Sequence, residues 1–319
     1  MNRLQQILAG VLVVQVVLAA VLLWPRATTG GVEAMLVGVE VDDVVALVIA
    51  DAQGNEIELR KVTGTWVLPQ ADDYPAKAET VQSVIEKMLA VDTQRLVTRT
   101  AASHTRLQVA ADDFTRRVEL ETADSDRQTL YLGSSPSYGA THVRLEGRDE
   151  TYLTNSITQY DLGATPSSWV DTLYVQVPQE EVVSARLENV HGTVGFTKDE
   201  QGNWTLADLQ VGEQLDVAEI NSVVNRATSL TMLEPLGREE LPEYGMDSPS
   251  AVLTLQKEAE QIRLVVGAQD PSDSSYTVKA STSPYYVRVS EYTVQAMVED
   301  TREDFLQPPP TPTPAESSS

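Results

Sequence analysis

The residues best equipped for chemistry in this chain are three histidines, His104, His142 and His191, and a scatter of paired acids, because cysteine is absent. Without thiols, disulfides, thiolate metal sites, a cysteine nucleophile and a lipid-modified cysteine all drop out. No histidine has a second ligand at H-x-x-x-H spacing, so a helical zinc pair is not expected. No G-x-S-x-G elbow occurs, and Gly133-Ser134-Ser135-Pro136 reads as a turn. A P-loop and a G-x-G-x-x-G segment are also missing, which argues against nucleotide binding.

The acids occur as Asp42-Asp43, Asp72-Asp73, Asp112-Asp113, Asp124 with Asp126, and Asp270 with Asp273. Two loop carboxylates can touch Ca²⁺, but that ion wants about six to eight oxygens, and no stretch has the D-x-[DN]-x-[DN]-G loop. Solvated turn residues are the expectation. Catalytic, cofactor-binding and metal-binding residues are accordingly assigned to none. Among the aromatics, Tyr276, Tyr285, Tyr286 and Tyr292 form a candidate interaction surface, since tyrosine is enriched at interfaces. Trp66 and Trp204 read as core anchors, with an exposed platform for glycan or peptide as the alternative.

These residues sit in a pattern that occurs twice. Gly64-Thr65-Trp66-Val67-Leu68 returns as Gly202-Asn203-Trp204-Thr205-Leu206, an offset of 138 residues from Trp66 to Trp204. Before each Trp lies a hairpin pattern, Val44 to Ala50 with Glu56 to Lys61, then Val182 to Leu187 with Thr193 to Lys198. After each Trp the apolar period changes to that of a helix: Val81, Val84, Ile85, Met88 and Leu89, with Pro75 near the first turn, then Val217, Ile220, Val223, Val224 and Ala227. Asp216 and Glu219 have capping-box spacing.

Further along, Thr115 to Glu121 and Gln128 to Leu132 match Ala251 to Gln256 and Gln261 to Val266, each pair ending in Leu-x-x-Gly at Gly133 and Gly267. Glycine there fits a positive φ or a close backbone approach. Thr141 to Arg144 then matches Tyr276 to Lys279, and Tyr152-Leu153 falls opposite Tyr286-Val287. The similar Val143-Arg144 and Val287-Arg288 are a decoy, because pairing them would break the strand order. The expected fold is α+β: two tandem repeats, each a mostly antiparallel sheet with one amphipathic helix packed on it.

Outside the repeats, Ile7 to Trp24 is apolar except for Gln15 and approaches the ~20 residues that cross a bilayer. An uncleaved anchor is favoured over a signal peptide, whose apolar core is shorter. Arg3 and Arg26 flank the run, and the short amino-terminal side is expected in the cytoplasm with the bulk outside. The expected organisation is anchor 1–26, linker 27–39, first repeat 40–172, second repeat 173–306 and a disordered Pro/Thr/Ser tail 307–319. The 319 residues carry Lys+Arg 23 against Asp+Glu 47, a net charge of −24, which repels nucleic acid and anionic headgroups. Such a surface serves solubility, meets a cationic partner or weakly collects divalent cations.

The order G-x-W-x-L, amphipathic helix, Tyr244-Gly245-Met246-Asp247-Ser248-Pro249, Leu-x-x-Gly, Tyr-x-Val-Lys and a closing Tyr-Val resembles the family known as domain of unknown function 4340, over about residues 40 to 306. The first repeat departs at Ser103 to Val109, read as a variant of the Tyr-Gly-Met-Asp turn. The resemblance implies a bacterial protein on one amino-terminal helix, in the company of ABC-type export permeases. It implies no catalytic residues and no oligomeric state. The expected role is therefore extracytoplasmic binding or scaffolding at a membrane transport complex. The rivals are an envelope glycan or peptide hydrolase, a wall-binding module and a plain structural spacer.

Overall fold

A computed structural model describes residues 33–308. The apolar run from Ile7 to Trp24 and the tail beyond Pro308 lie outside the described residues. Within them, no helix is long and apolar enough to cross a membrane.

In the first half, apolar-rich runs build β1 (Val44–Asp51), β2 (Glu56–Val62) and β3 (Thr65–Leu68), followed by the two-residue β4 (Tyr74–Pro75). Helix α1 (Ala78–Leu89) comes next, then β5 (Leu96–Thr98) and a short α2 (His104–Leu107). A meander of β6 (Arg116–Thr122), β7 (Arg127–Leu132), β8 (Thr141–Leu145) and β9 (Thr151–Thr154) completes it. The second half holds β10 (Leu173–Gln176), β11 (Val182–Asn189), β12 (Gly192–Lys198), β13 (Trp204–Leu206), α3 (Val217–Thr228), β14 (Ser229–Thr231) and β15 (Glu234–Gly237). It ends with β16 (Ala251–Lys257), β17 (Gln261–Gln269), β18 (Tyr276–Ala280), β19 (Tyr286–Val289) and α4 (Glu291–Glu299).

Two antiparallel sheets result. One has the order β4-β3-β2-β1-β6-β7-β8-β9-β5, and the other β13-β12-β11-β16-β17-β18-β19-β15. Apart from β4 the two orders correspond strand for strand. Even irregularities correspond: β1 shifts register between Val44 and Ala46 against β6, and β11 between Val182 and Ser184 against β16. The small sheet β10-β14 lies outside both. The molecule is thus mostly antiparallel sheet with a few helices.

The helices bury the faces that their spacing predicts. Val81, Val84, Ile85 and Met88 of α1 and Ile220, Val223, Val224 and Ala227 of α3 are buried, joining the side chains of both sheets in one apolar cluster. Each fully buried aliphatic side chain contributes about 1.5–3 kcal/mol. Trp66 and Trp204 belong to that cluster and are buried, as core anchors should be.

Several details differ from expectation. Pro75 is not at the helix start but pairs with Val67 in β4, two residues ahead of the α1 N-cap Lys77. Val217 is exposed, since it opens α3 where the helix has not yet reached the sheet. Asp216 accepts from the Ala218 and Glu219 amides, but its own N–H donates to the Phe305 carbonyl, leaving nothing for Glu219 to cap. The later part of the expected linker is docked: Met35 and Leu36 are buried, and the Met35 N–H donates to the Val91 carbonyl. Two apolar side chains outweigh the surrounding small residues there. Finally, Tyr152 lies opposite Val143 and Val287 opposite Val278, so Tyr152 corresponds to Val287, one residue from the expected pairing.

Candidate functional site

Gly133 and Gly267 mark the same construction in the two sheets. A Cβ at Gly133 would stand 2.0 Å from the Leu107 carbonyl oxygen, and one at Gly267 would stand 2.0 Å from that of Tyr244. Each glycine therefore serves a close backbone approach rather than a positive φ. The residue after each of those carbonyls is left-handed, Gln108 at φ 56° and Gly245 at φ 66°. The Ser103 to Val109 turn thus occupies the place of the Tyr-Gly-Met-Asp turn.

Beside Gly133, Ser134 and His142 come together. Ser134 Oγ lies 3.2 Å from His142 Nδ1, yet the same Nδ1 is 2.8 Å from the Ser134 carbonyl oxygen. A carbonyl only accepts, so Nδ1 carries the proton and cannot take one from the serine. The hydroxyl itself is 3.2 Å from the Leu107 carbonyl, to which it donates. Burial lowers the His142 pKa, which keeps the ring neutral near pH 7. This pair fastens the turn and is not an activated nucleophile. His104 Nε2 bonds the Asp149 carbonyl at 2.9 Å on the surface, and His191 caps a turn through its amide to Asn189.

The paired acids mostly serve their own loops. Asp43 accepts from the Glu40 amide, Asp270 from the Ser272 amide and hydroxyl, and Asp273 from those of Ser275. Among the described residues, no three His, Asp or Glu side chains converge as metal ligands would.

Asp72-Asp73 is different, and it connects with the tyrosines. Both aspartates are left-handed, at φ 52° and 59°, a conformation costing roughly 1–3 kcal/mol at a non-glycine residue. What holds them there is the second half of the chain. Asp72 Oδ2 accepts from the Arg238 N–H at 2.6 Å, and it lies so close to Gly237 that a Cβ there would be 2.6 Å away. The Asp73 carbonyl accepts from the Tyr285 hydroxyl at 3.2 Å. The Arg238 guanidinium lies 4.6 Å from the Tyr285 ring and donates to its hydroxyl, while Tyr74 meets the same ring edge-on at 4.6 Å. Tyr174 extends the network, donating to the Tyr285 carbonyl at 2.6 Å and accepting from the Ala280 amide. Burial pushes the Tyr74 hydroxyl up to about 12, so it stays protonated at any physiological pH.

The expected tyrosine surface is therefore corrected. Tyr276, Tyr285 and Tyr286 are 8%, 7% and 7% exposed, and only Tyr292, at 73%, faces solvent, under the Arg226 guanidinium. Tyr285 faces the chain's own first half, and Tyr286 packs on Tyr244 and donates to Glu240 at 2.5 Å. Tyrosine composition alone does not distinguish an internal junction from an external one. Asp72, Tyr74, Tyr174 and Arg238 were missed as partners, although the left-handed demand of Gly237 beside a basic residue was a usable signal.

No curated protein and no solved structure matches this chain. A family model does, and its span runs from the first repeated Trp to the glycine of the junction. It covers residues 66–237, more than half of the 319 residues, and includes both Asp72 and Gly237. The chain belongs to the family described as Domain of unknown function (DUF4340).

Proposed function

We propose that this chain is a membrane-anchored, extracytoplasmic scaffolding protein, built from two tandem units behind an anchor at residues 1–26 and acting as an accessory of an ABC-type transport complex. The observation that carries the scaffolding part is the junction. Two sheets of matching strand order are fixed to one another by Asp72, Arg238, Tyr74 and Tyr285, which gives an extended framework with strand edges at its ends. Such edges suit partner binding through β-addition. The closest contact between a hydroxyl and an imidazole, Ser134 with His142, has the proton on the wrong nitrogen for nucleophilic catalysis. Units 40–172 and 173–306 account for the repeated Trp strands and the shared register shifts. The anchor rests on the apolar run from Ile7 to Trp24, and the transport partner on family resemblance.

The test is cross-linking of the full-length protein in its native membrane, followed by mass spectrometry. Recovery of a polytopic permease or its ATPase supports the reading, and deletion of residues 1–26 should abolish that recovery. Recovery of envelope glycan alone would replace it with a wall-binding or hydrolytic role.

A further inference from the structure

The junction joins two surfaces that each half possesses, and each half uses only one of them. The first half contributes the loop after its Trp strand, with Asp72, Asp73 and Tyr74. The second contributes its bulged edge strand β15 and the Arg238 that follows. Both surfaces recur at the free ends of the chain.

The first recurrence is β5. It shifts register between Leu96 and Thr98 while facing Tyr152 and Thr151, as β15 shifts between Pro235 and Gly237 while facing Val287 and Tyr286. Matching the two bulges sets Thr98 with Gly237 and Arg99 with Arg238. In β15 that edge is covered by the first half, and its Pro235 interrupts the ladder. In β5, by contrast, Leu96 and Val97 are 39% and 43% exposed, and Arg95 and Arg99 are exposed beside them. An apolar edge flanked by two arginines is unusual on a chain of net charge −24.

The second recurrence is the far edge at β13. In the first sheet β4 covers β3, and the Ala76 N–H donates to the Trp66 carbonyl at 2.8 Å. In the second sheet β13 is the last strand, and among the described residues no backbone N–H reaches the corresponding Trp204 carbonyl. The loop that follows, in the place of the Asp72-Asp73 loop, exposes Val211 fully and Leu209 partly. The 207–213 loop carries Asp208 and Glu213, both paired with Arg302, and no Lys or Arg of its own, whereas the 95–99 edge carries Arg95 and Arg99 and no acid.

We infer that this chain associates head to tail with a second copy of itself, the Arg95–Arg99 edge of one copy meeting the 207–213 loop beyond β13 of the next. The contact continues the internal junction in geometry and is complementary in charge. It is heterologous, so each addition presents the same two ends again, and the product is a chain that extends or closes into a ring rather than a symmetric isologous dimer. The inference rests on the two-unit reading and not on the transport role, which the copurification experiment tests separately.

The absence of native cysteine allows a direct test in the full-length chain. Val97→Cys and Val211→Cys place one thiol at each free end, both at exposed positions, and thermal unfolding checks that each variant folds. With a short bis-maleimide, a mixture of the two single variants should give a cross-linked dimer that neither gives alone. The double variant should give a ladder of dimer, trimer and higher species, reduced at least tenfold when Arg99→Glu is added. Monomer only in the folded double variant overturns the inference. So does Val97→Cys cross-linking to itself as efficiently as to Val211→Cys, because that outcome means a symmetric contact.

Discussion

Replacing Asp300 with asparagine should make this protein more stable at neutral pH. Asp300 caps α4, and its Oδ2 is buried without a hydrogen-bond partner among the described residues. Burial, reinforced by the negative charges of Glu219 and Asp304, pushes its pKa from the ordinary 3.8 up to about 6. The folded chain therefore holds this proton more tightly than the unfolded chain does. The stabilisation is complete below pH ~4 and is lost as pH rises toward ~6. Two pKa units correspond to ~3 kcal/mol. Partial solvent access at the carboxyl reduces this to about 1–2 kcal/mol. Asp300→Asn is neutral at every pH, so it should match the parent at pH 4 and exceed it by that amount at pH 7.5. In a domain of this size each kcal/mol moves Tm by about 2–4 °C. The assay is thermal unfolding of parent and variant from pH 4 to 8. Glu213, held at about 2 by its bonds to Arg302, and Asp270, at about 2 through Ser272 and Arg288, act in the opposite sense. Their stabilisation begins to be lost as pH falls below ~4.5, but it is common to parent and variant and cancels in the comparison. A variant less stable than the parent at pH 7.5, or displaced equally at pH 4 and 7.5, would refute a retained proton on Asp300.

Two pairs of substitutions test the construction of the sheets. Gly133→Ala and Gly267→Ala each force a methyl group against a backbone carbonyl and should cost about 1–3 kcal/mol in denaturant unfolding; parent-like midpoints would show that the close approach relaxes freely. Trp66→Ala and Trp204→Ala should each cost about 3–5 kcal/mol, measured the same way, and little change would return these residues to a surface role.

The elements legible in the sequence are those with a strong period. The strands β2, β11 and β12 alternate, β1 is a continuous apolar run buried on both faces, and the α1 and α3 faces follow helical spacing over three turns, so burial and sequence carry the same pattern. The strands β5, β14 and β15 are too short to show a period, and β15 contains Pro235, which reads as a turn. They were missed for that reason. The meander register was legible up to β18, where Thr141 to Arg144 matches Tyr276 to Lys279, and slipped by one residue at β19 because Tyr152 and Tyr286 look alike. Tyr285 reads from the sequence as part of an exposed patch, yet it is buried, because its partners depend on how the halves meet. Those partners, the Asp73 carbonyl and the Tyr74 ring, lie more than two hundred residues away in the chain.

The pairing of β1 with β6, and of β11 with β16, governs how each half is assembled over time. Asp51 meets Arg116 and Asn189 meets Ala251, so in both halves the sheet's central ladder closes only after the Trp strand, the helix and the following edge strand have been made. Neither the hairpin nor the meander has a complete sheet to join until that loop is shut, and the entropy of closing it comes before the contacts that repay it. Each half should therefore fold as one slow, all-or-none unit of high contact order. A chain emerging amino terminus first would hold the apolar faces of β1 to β3 uncovered until the meander arrives.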